Sequence, residues 1–196
     1  MANKTFQVLN ASEQQKLSTI FPSIENLHYW DYGNDKRLTL ANPHVERLLV
    51  ENNYKWLYIS VYDHWLSRED EKDKEQIEEF FKFNDENHPK SILLSEFNLK
   101  LFQNTNVLNF RPIGKKNYSL NRKKKISFRK FVSFEKFKLV AGSPRNYFFP
   151  NLVLPDLKAI YFPGKNLAHL LIYKDADLLH GLKKWVAESN LYIINE

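Results

Sequence analysis

Residues 157–173 read LKAIYFPGKNLAHLLIY, and this stretch predicts a β-hairpin. Its two apolar runs, 157–162 and 167–173, are rich in the branched and aromatic residues that favour strands. Pro163 and Gly164 separate the two runs, and proline followed by glycine suits a type II turn. The stretch therefore supplies two neighbouring antiparallel strands.

The residues after this hairpin predict a helix and one more strand. The helix should begin at Asp175 or Asp177, and four apolar residues recur along it at helical spacing: Leu178, Leu182, Trp185 and Val186. A last strand is expected over 191–194. The carboxyl-terminal part of the chain is thus predicted to form a β-β-α-β unit.

The clearest strand elsewhere covers residues 55–62, where apolar and other side chains alternate. One face of this strand should carry Leu57, Ile59 and Val61. The opposite face should carry Trp56, Tyr58, Ser60 and Tyr62. Three aromatic side chains are therefore expected to lie side by side, where they form part of a core or, at the surface, an interface.

Three further helices are predicted from their start signals. The first covers 13–20 after a capping box at Ser12, and the second follows Asn42, with proline at its first position. The third follows Ser67, with Asp70 as its capping-box partner, and should reach about residue 83. Its core-facing residues should be Ile77, Phe80 and Phe81.

Short strands are expected at 91–94, 99–102 and 107–110, between asparagine-rich turns. From residue 128 to 140 an apolar residue recurs at every third position, which fits neither a regular strand nor a regular helix. The order of elements predicts one α+β domain over residues 1–196, with a mostly antiparallel sheet and three to four helices.

The composition excludes several classes of protein. A hydrophobic content of 43% with 15% aromatic residues is typical of a folded domain and excludes a disordered chain. Without cysteine there is no disulfide, no thiol nucleophile and no cysteine-ligated zinc. The amino terminus lacks the apolar core of a signal peptide, and no apolar run approaches the ~18 residues of a membrane helix. We therefore expect a cytoplasmic protein without a membrane partner.

Charge is sorted along the chain. Residues 111–145 hold eight Lys and four Arg against one acid, a net charge of +11. Residues 1–110 hold 12 basic and 17 acidic residues, a net charge of −5, and residues 146–196 hold five of each. A field sorted in this way acts on the choice of partner and on association rate rather than on the fold.

The basic segment, residues 111–145, is a candidate anion or nucleic-acid site. Clustered cations bind phosphate backbones by releasing counterions, and interleaved aromatic rings can stack on bases. The candidate cations are Lys115, Lys116, Arg122, Lys123, Lys124, Lys125, Arg129 and Lys130. The alternative is a solvated hairpin, loop or insertion whose phenylalanines belong to the core and whose lysines protect an edge strand.

An acidic segment, residues 69–79, is the counterpart of the basic one. It holds seven acids and two lysines, and Glu71, Glu75 and Glu79 are candidates to bind a basic partner protein, together with Trp56, Tyr58 and Tyr62. Two alternatives stay open. The acidic segment could fold against the basic one, or it could be an ordinary solvated helix.

Signals for catalysis are weak. Asp63 and His64 follow the strand at 55–62, where a catalytic pair could lie, but adjacent residues need not touch each other. His169 is expected to be a core histidine, and no two histidines have metal-ligand spacing. Gly114 with Lys115 does not complete a phosphate-binding loop, because the glycine and the Ser or Thr of that motif are missing. We expect no metal and no cofactor.

The sequence thus favours a binding protein over an enzyme. The leading hypothesis is recognition of another protein through complementary charge and aromatic surfaces, as an inhibitor or a toxin-neutralising immunity protein would do. The second is a nucleic-acid-binding protein that uses residues 111–145, and the third is an enzyme without a recognisable motif. The sequence does not distinguish a monomer from a dimer.

Overall fold

The computed structural model describes residues 5–22, 24, 50–67, 69–82, 88–113, 125–141, 151–163 and 168–194. These residues contain eight β-strands and five α-helices. The strands are β1 (Phe6–Val8), β2 (Lys55–Ser60), β3 (Leu108–Ile113), β4 (Lys125–Phe131), β5 (Leu152–Leu154), β6 (Ala159–Phe162), β7 (Ala168–Tyr173) and β8 (Tyr192–Ile194). The helices are α1 (Ala11–Ile20), α2 (Lys74–Lys82), α3 (Pro89–Asn104), α4 (Phe134–Ala141) and α5 (His180–Glu188). Short 3-10 helices cover Glu71–Asp73, Pro155–Leu157 and Asp177–Leu179.

The strands form one open sheet in the order β1-β4-β3-β5-β6-β7-β2-β8, and every neighbouring pair is antiparallel. This architecture confirms the predicted α+β class and the β-β-α-β unit, which is β6, β7, α5 and β8. Strand β2 lies between β7 and β8 and pairs with both. The described residues hold one helix more than the three to four predicted, and two of the five, α3 and α4, were not predicted. None of the helices in these ranges combines the length and the apolar character needed to span a lipid bilayer.

Both faces of the sheet are covered by apolar residues. On the face that we call the three-helix face, Leu57 and Leu171 pack in one cluster with residues of α3, α4 and α5. On the opposite face, called the α1 face, Ile160 and Ile172 pack with Leu17 of α1. Because successive side chains of a strand point to opposite faces, the strands carry apolar residues on both sides.

Helix α3 replaces two predicted strands. Strands at 91–94 and 99–102 were expected from short apolar runs, and that prediction is wrong, because both runs belong to one 16-residue helix. Leu94, Phe97 and Leu101 are buried at helical spacing against the three-helix face. Pro89 occupies the first turn, and the side chain of His88 accepts the backbone N–H of Lys90 at 3.2 Å.

Two predicted helix caps are shifted along the chain. Asn10 rather than Ser12 caps α1: its Oδ1 accepts the N–H of Glu13, whose carboxylate accepts the N–H of Asn10, both at 2.9 Å. Asp70 rather than Ser67 caps the 3-10 helix before α2, since its side chain accepts the N–H of Lys72 at 2.9 Å. Asn and Asp are strong cap residues like Ser, so both sites obey the predicted chemistry at positions two or three residues away.

The apolar period of three in the basic segment arises from a change of element. Strand β4 ends at Phe131, and α4 begins three residues later. Phe128 lies on the α1 face and Phe131 on the three-helix face, where Phe137 meets it with ring centroids 5.4 Å apart. Because the pattern runs from a strand into a helix, it shows neither the period of a strand nor the period of a helix.

Some predictions fall outside the described residues. They include the helix after Asn42, of which only the end at Val50 and Glu51 is described, and the turn at Gly164. Ile77 is partly buried, as expected, while the side chains at 80 and 81 lie outside the described set. Asn53 adopts a left-handed conformation with φ of 56°, which is common for an asparagine where a helix ends. The extent of a single domain over 1–196 stays a prediction.

Candidate functional site

The basic segment contributes strands β3 and β4, which lie next to β1 at one end of the sheet. Of the candidate cations, Arg129 and Lys130 are described in full, and Lys125 begins β4 with its side chain outside the described set. The remaining five lie outside the described residues: Lys115, Lys116, Arg122, Lys123 and Lys124. The predicted hairpin is thus present in its two strands.

Alternation along β4 places its two described cations on opposite faces. Arg129 shares the three-helix face with Phe131, whereas Lys130 points to the α1 side and is exposed. Arg111 of β3 pairs with Ser127, and Asn109 pairs with Arg129, so that the two arginines lie diagonally across one face. They form the arginine pair, Arg111 and Arg129.

Arg129 is held in a defined position. Its guanidinium carbon lies 3.9 Å from the centroid of the Phe6 ring, and its Nη2 donates a hydrogen bond to Oδ1 of Asn109. Asn109 is itself fixed, because its Nδ2 donates to the carbonyl oxygen of Asn151 at 3.1 Å. Burial, and secondarily the charge of Arg111, lowers the pKa of Arg129 to about 10.

Neither member of the arginine pair has an acidic partner. Within the described ranges, no carboxylate lies within 4 Å of Arg111 or Arg129. The Nε–H of Arg129 is also buried without a hydrogen-bond acceptor. A buried donor without an acceptor is rare in folded proteins and calls for an explanation.

Three of the seven carboxylates of the acidic segment, by contrast, have a cationic or histidine partner. Oε1 of Glu79 lies 3.1 Å from Nε2 of His88, and Glu79 also forms an ion pair with Lys90. Glu71 forms an ion pair with Lys74, one helical turn away. Glu75 is exposed in α2. Two of the three predicted acidic docking residues are therefore already matched by nearby cations.

The acidic and basic segments lie far apart. Five strand intervals separate β4 from β2, which at about 4.8 Å each gives roughly 24 Å. Helix α3 spans a similar distance: Lys90 at its start contacts Glu79 of α2, and Phe102 near its end packs against Phe134 of α4. In the described part of the chain no ion pair joins the two segments, so the alternative in which they fold against each other is not observed there.

The predicted aromatic face of residues 55–62 is only partly formed. Trp56 and Tyr58 are half-buried on the α1 face, but Tyr62 is 7% exposed and belongs to the core of the three-helix face. The prediction that Tyr62 joins the other two is wrong, because the strand ends at Ser60 and the chain bends there. The exposed aromatic residues nearby are Trp65, which packs edge-on against Tyr58 at 4.6 Å, and Tyr192, which pairs with Ser60.

His64 lies between two carboxylates. Its Nδ1 is 2.6 Å from Oδ1 of Asp63, and its Nε2 is 2.8 Å from Oδ1 of Asp73, which was not among the candidates selected from the sequence. Asp73 is buried and also accepts the N–H of Ser67 at 2.7 Å. The hydrogen bond to Asp73, followed by that to Asp63, raises the pKa of His64, and the pKa of Asp73 is lowered by His64 first and by the Ser67 N–H second.

This cluster suits a structural role better than proton transfer. Both imidazole nitrogens face a carboxylate, so neither is directed at a substrate. The contacts tie the chain after β2 to the start of the acidic segment. Among the described residues, no group of three or more side chains is arranged to hold a metal ion.

His169 is a core histidine, as expected. It is 3% exposed, and its Nδ1 makes a hydrogen bond with the hydroxyl of Tyr161, which donates to Oδ1 of Asn98 at 2.9 Å. Burial lowers the pKa of His169 to about 3, so the ring is neutral near pH 7. Asn98 lies on α3 and Tyr161 on β6, so this network fixes the helix to the sheet.

The other candidates add no site. His28, His44, Gly114 and Lys115 lie outside the described residues, and His180 is exposed at the start of α5. The main feature that the sequence left hidden is therefore the contrast between matched carboxylates and an unmatched arginine pair. Comparisons of the chain with protein-family models, with curated proteins and with solved structures find no match.

Proposed function

We propose that this protein works by binding another protein that presents an acidic surface, and that the β3–β4 hairpin is its recognition face. The observation that carries the proposal is the arginine pair, which has no carboxylate partner in the described ranges. Five further cations of the candidate set fall in the sequence between β3 and β4. Unmatched charge of one sign speeds association with a partner of opposite charge and selects it over others.

The position of the aromatic residues favours a protein over a single-stranded nucleic acid. Two of the three aromatic residues that the sequence interleaves with the cations, Phe128 and Phe131, are 0% and 2% exposed, so they cannot stack on bases. The third, Tyr118, lies outside the described residues. The exposed carboxylates of the acidic segment would also repel a long polyanion that extends along the sheet. A compact acidic patch on a folded partner meets neither obstacle.

The acidic segment is the weaker candidate for the recognition face. Glu71 and Glu79 are already neutralised by Lys74 and Lys90, and breaking those contacts would offset part of what a new partner contributes. Trp65 and Tyr192 are exposed near the end of β2 and extend the surface offered there. Inhibitors and toxin-neutralising immunity proteins work by binding of this kind, and we retain them as the proposed class, with a cytoplasmic location.

Two charge-reversal variants of equal size test the proposal. The first changes Lys123, Lys124 and Lys125 to Glu, and the second changes Glu71, Glu75 and Glu79 to Lys. Each variant and the wild type capture partners from the source cell, and each captured protein is then purified and titrated. We expect an acidic partner that is lost with the first variant and kept with the second. Loss with the second variant alone would assign recognition to the acidic segment instead.

A titration with labelled oligonucleotides tests the nucleic-acid alternative. A protein that contacts six to eight phosphates shows a slope of log affinity against log salt near −5 to −7. We expect no binding of this strength, even at low salt. A slope in that range that disappears in the Lys123, Lys124 and Lys125 variant would replace the protein partner with nucleic acid.

A further inference from the structure

The arginine pair has the parts of an oxyanion site. The guanidinium of Arg129 lies over the Phe6 ring and is oriented by Asn109, so its planar fork of donors is preorganised. Arg111 is exposed and lies diagonally across the hairpin on the same face. Two guanidinium groups in this arrangement can direct hydrogen bonds at one group of oxygen atoms between them.

The pair is also electrostatically incomplete as it stands. Arg129 is half-buried with its Nε–H unsatisfied, and its nearest charged neighbour that affects it is another cation, Arg111. Burial of a cation without a counter-charge destabilises the charged form, and the lowered pKa of Arg129 reports that effect. An anion bound between Arg111 and Arg129 would supply the counter-charge that both guanidinium groups lack in the described ranges.

We propose that Arg111 and Arg129 bind the dianionic oxyanion of a phosphate monoester. The inference deepens the proposed function, because it names the chemical group on the partner protein that the hairpin would recognise. A phosphate monoester carries a charge of about −2 near pH 7 and offers three acceptor oxygens, which matches two guanidinium groups. A phosphodiester of a nucleic acid carries one negative charge per group and matches the pair less well.

The test titrates the full chain with inorganic phosphate at pH 7.5. Sodium chloride keeps the ionic strength constant, and the side-chain Nε–Hε signals of arginine are followed by NMR. We expect saturable shifts of the Arg111 and Arg129 signals, and a dissociation constant about tenfold higher in Arg111→Gln, because a charge-assisted contact is lost. Dimethyl phosphate, a diester with one negative charge, should bind at least about fivefold more weakly than inorganic phosphate.

Lys130→Gln is the matched control, because it removes the same charge from the neighbouring position on the other face of β4. It should change the dissociation constant by less than about twofold. Arg129→Lys keeps the charge but removes the planar fork, and should weaken binding about tenfold. If Arg129→Lys fails to fold, Arg111→Gln carries the test, since Arg111 is an exposed side chain.

Three results would overturn the inference. Phosphate could give no more shift than chloride, Lys130→Gln could weaken binding as much as Arg111→Gln, or dimethyl phosphate could bind as tightly as phosphate. The last result would point to a diester and hence to nucleic acid. These results are distinct from failure of the proposed function. A partner protein that is lost only with the Lys123, Lys124 and Lys125 variant would still support the proposed function, even if the arginine pair binds no phosphate. Conversely, phosphate binding without any acidic partner protein would support the phosphate site and contradict the proposed function.

Discussion

The acidic segment and the β3–β4 hairpin carry similar densities of charge but treat it differently. In the acidic segment, Glu71, Asp73 and Glu79 each contact a cationic or histidine side chain. On the hairpin, Arg111 and Arg129 contact no carboxylate within the described ranges, and the nearest charge to affect Arg129 is a like one. Three of the seven acids of the acidic segment are thus matched within the chain, whereas neither arginine of the pair is matched in the described ranges.

This difference shows that a charge count does not identify a binding surface. By count, both segments qualified, since one has a net charge of +11 over residues 111–145 and the other −5 over 69–79. By contacts, the arginine pair is unmatched in the described ranges, whereas three of the seven acids of the acidic segment are matched. Matched charges contribute to the stability of the fold, and unmatched charges are available for recognition. Loss of a matched charge from the acidic segment should therefore lower stability more than loss of an unmatched charge from the hairpin.

The largest effect on stability is expected at Asp73. Asp73→Ala removes the acceptor of both the Ser67 N–H and the His64 ring, and leaves the former without a partner inside the fold. We expect Tm to fall by roughly 5 °C in a thermal scan. Asp63→Ala is the control, because it removes only the exposed carboxylate on the other side of His64. An equal effect of the two changes would contradict a structural role for Asp73.

The same cluster should give a pH dependence. The pKa of His64 is raised in the folded state, so its contribution to stability is complete below the unfolded pKa of about 6.5 and is lost as the pH rises through the folded value. The pKa of Asp73 is lowered, so its contribution is complete above about 3.9 and is lost at acid pH. We expect the urea midpoint of the wild type to fall between pH 6.5 and 9, relative to His64→Gln.

That comparison is also free of a contribution from a second histidine. The pKa of His169 is about 3 in the fold, so its contribution is present above about 6.5 and is lost as the pH falls toward 3. Because the wild type and His64→Gln both contain His169, its contribution is the same in the two proteins and cancels in the comparison. Identical slopes for the wild type and His64→Gln over this range would show that the carboxylates do not hold an imidazolium.

The fold could be predicted wherever the deciding signal is local. Alternation fixed the strand that begins at Lys55, and the apolar runs on either side of Pro163 predicted β6 and β7, because period and turn chemistry act over a few residues. Helix α3 could not be predicted in this way. Its short apolar runs fit a strand equally well. The helix forms because it buries Leu94, Phe97 and Leu101 together against the sheet.

The contacts of the candidate sites are non-local, and the sequence could not supply them. Asp73 follows His64 by nine residues, and Tyr161 meets Asn98 across 63, at separations that no periodicity links. The isolation of the arginine pair depends on which carboxylates the fold brings near, and this is a property of the whole sheet. A basic run in a sequence therefore shows where cations are, but not whether they are matched.

A smaller effect is expected at Lys90, where a matched charge is removed from the acidic segment. Lys90→Met abolishes the ion pair with Glu79 and the contact of Nζ with the Tyr62 ring, 4.2 Å from its centroid. Both contacts are partly shielded, so we expect a loss of about 1 kcal/mol in the free energy of unfolding. Lys74→Met, which breaks an exposed pair with Glu71, should cost less in the same urea titration. A larger loss at Lys74 would contradict the assignment of Lys90 as the main cation.

The smallest effect is expected at Arg111, and its sign decides the comparison. Arg111→Gln removes a cation that has no carboxylate partner in the described ranges and that repels Arg129, so the free energy of unfolding should stay constant or rise by up to about 0.5 kcal/mol. Lys90→Met, measured beside it, removes a charge of the same sign and should lower that free energy. If Arg111→Gln destabilises the fold as much as Lys90→Met does, then a carboxylate of the chain compensates Arg111 in solution. The unmatched charge of the arginine pair, on which the proposed recognition depends, would in that case not be available to a partner.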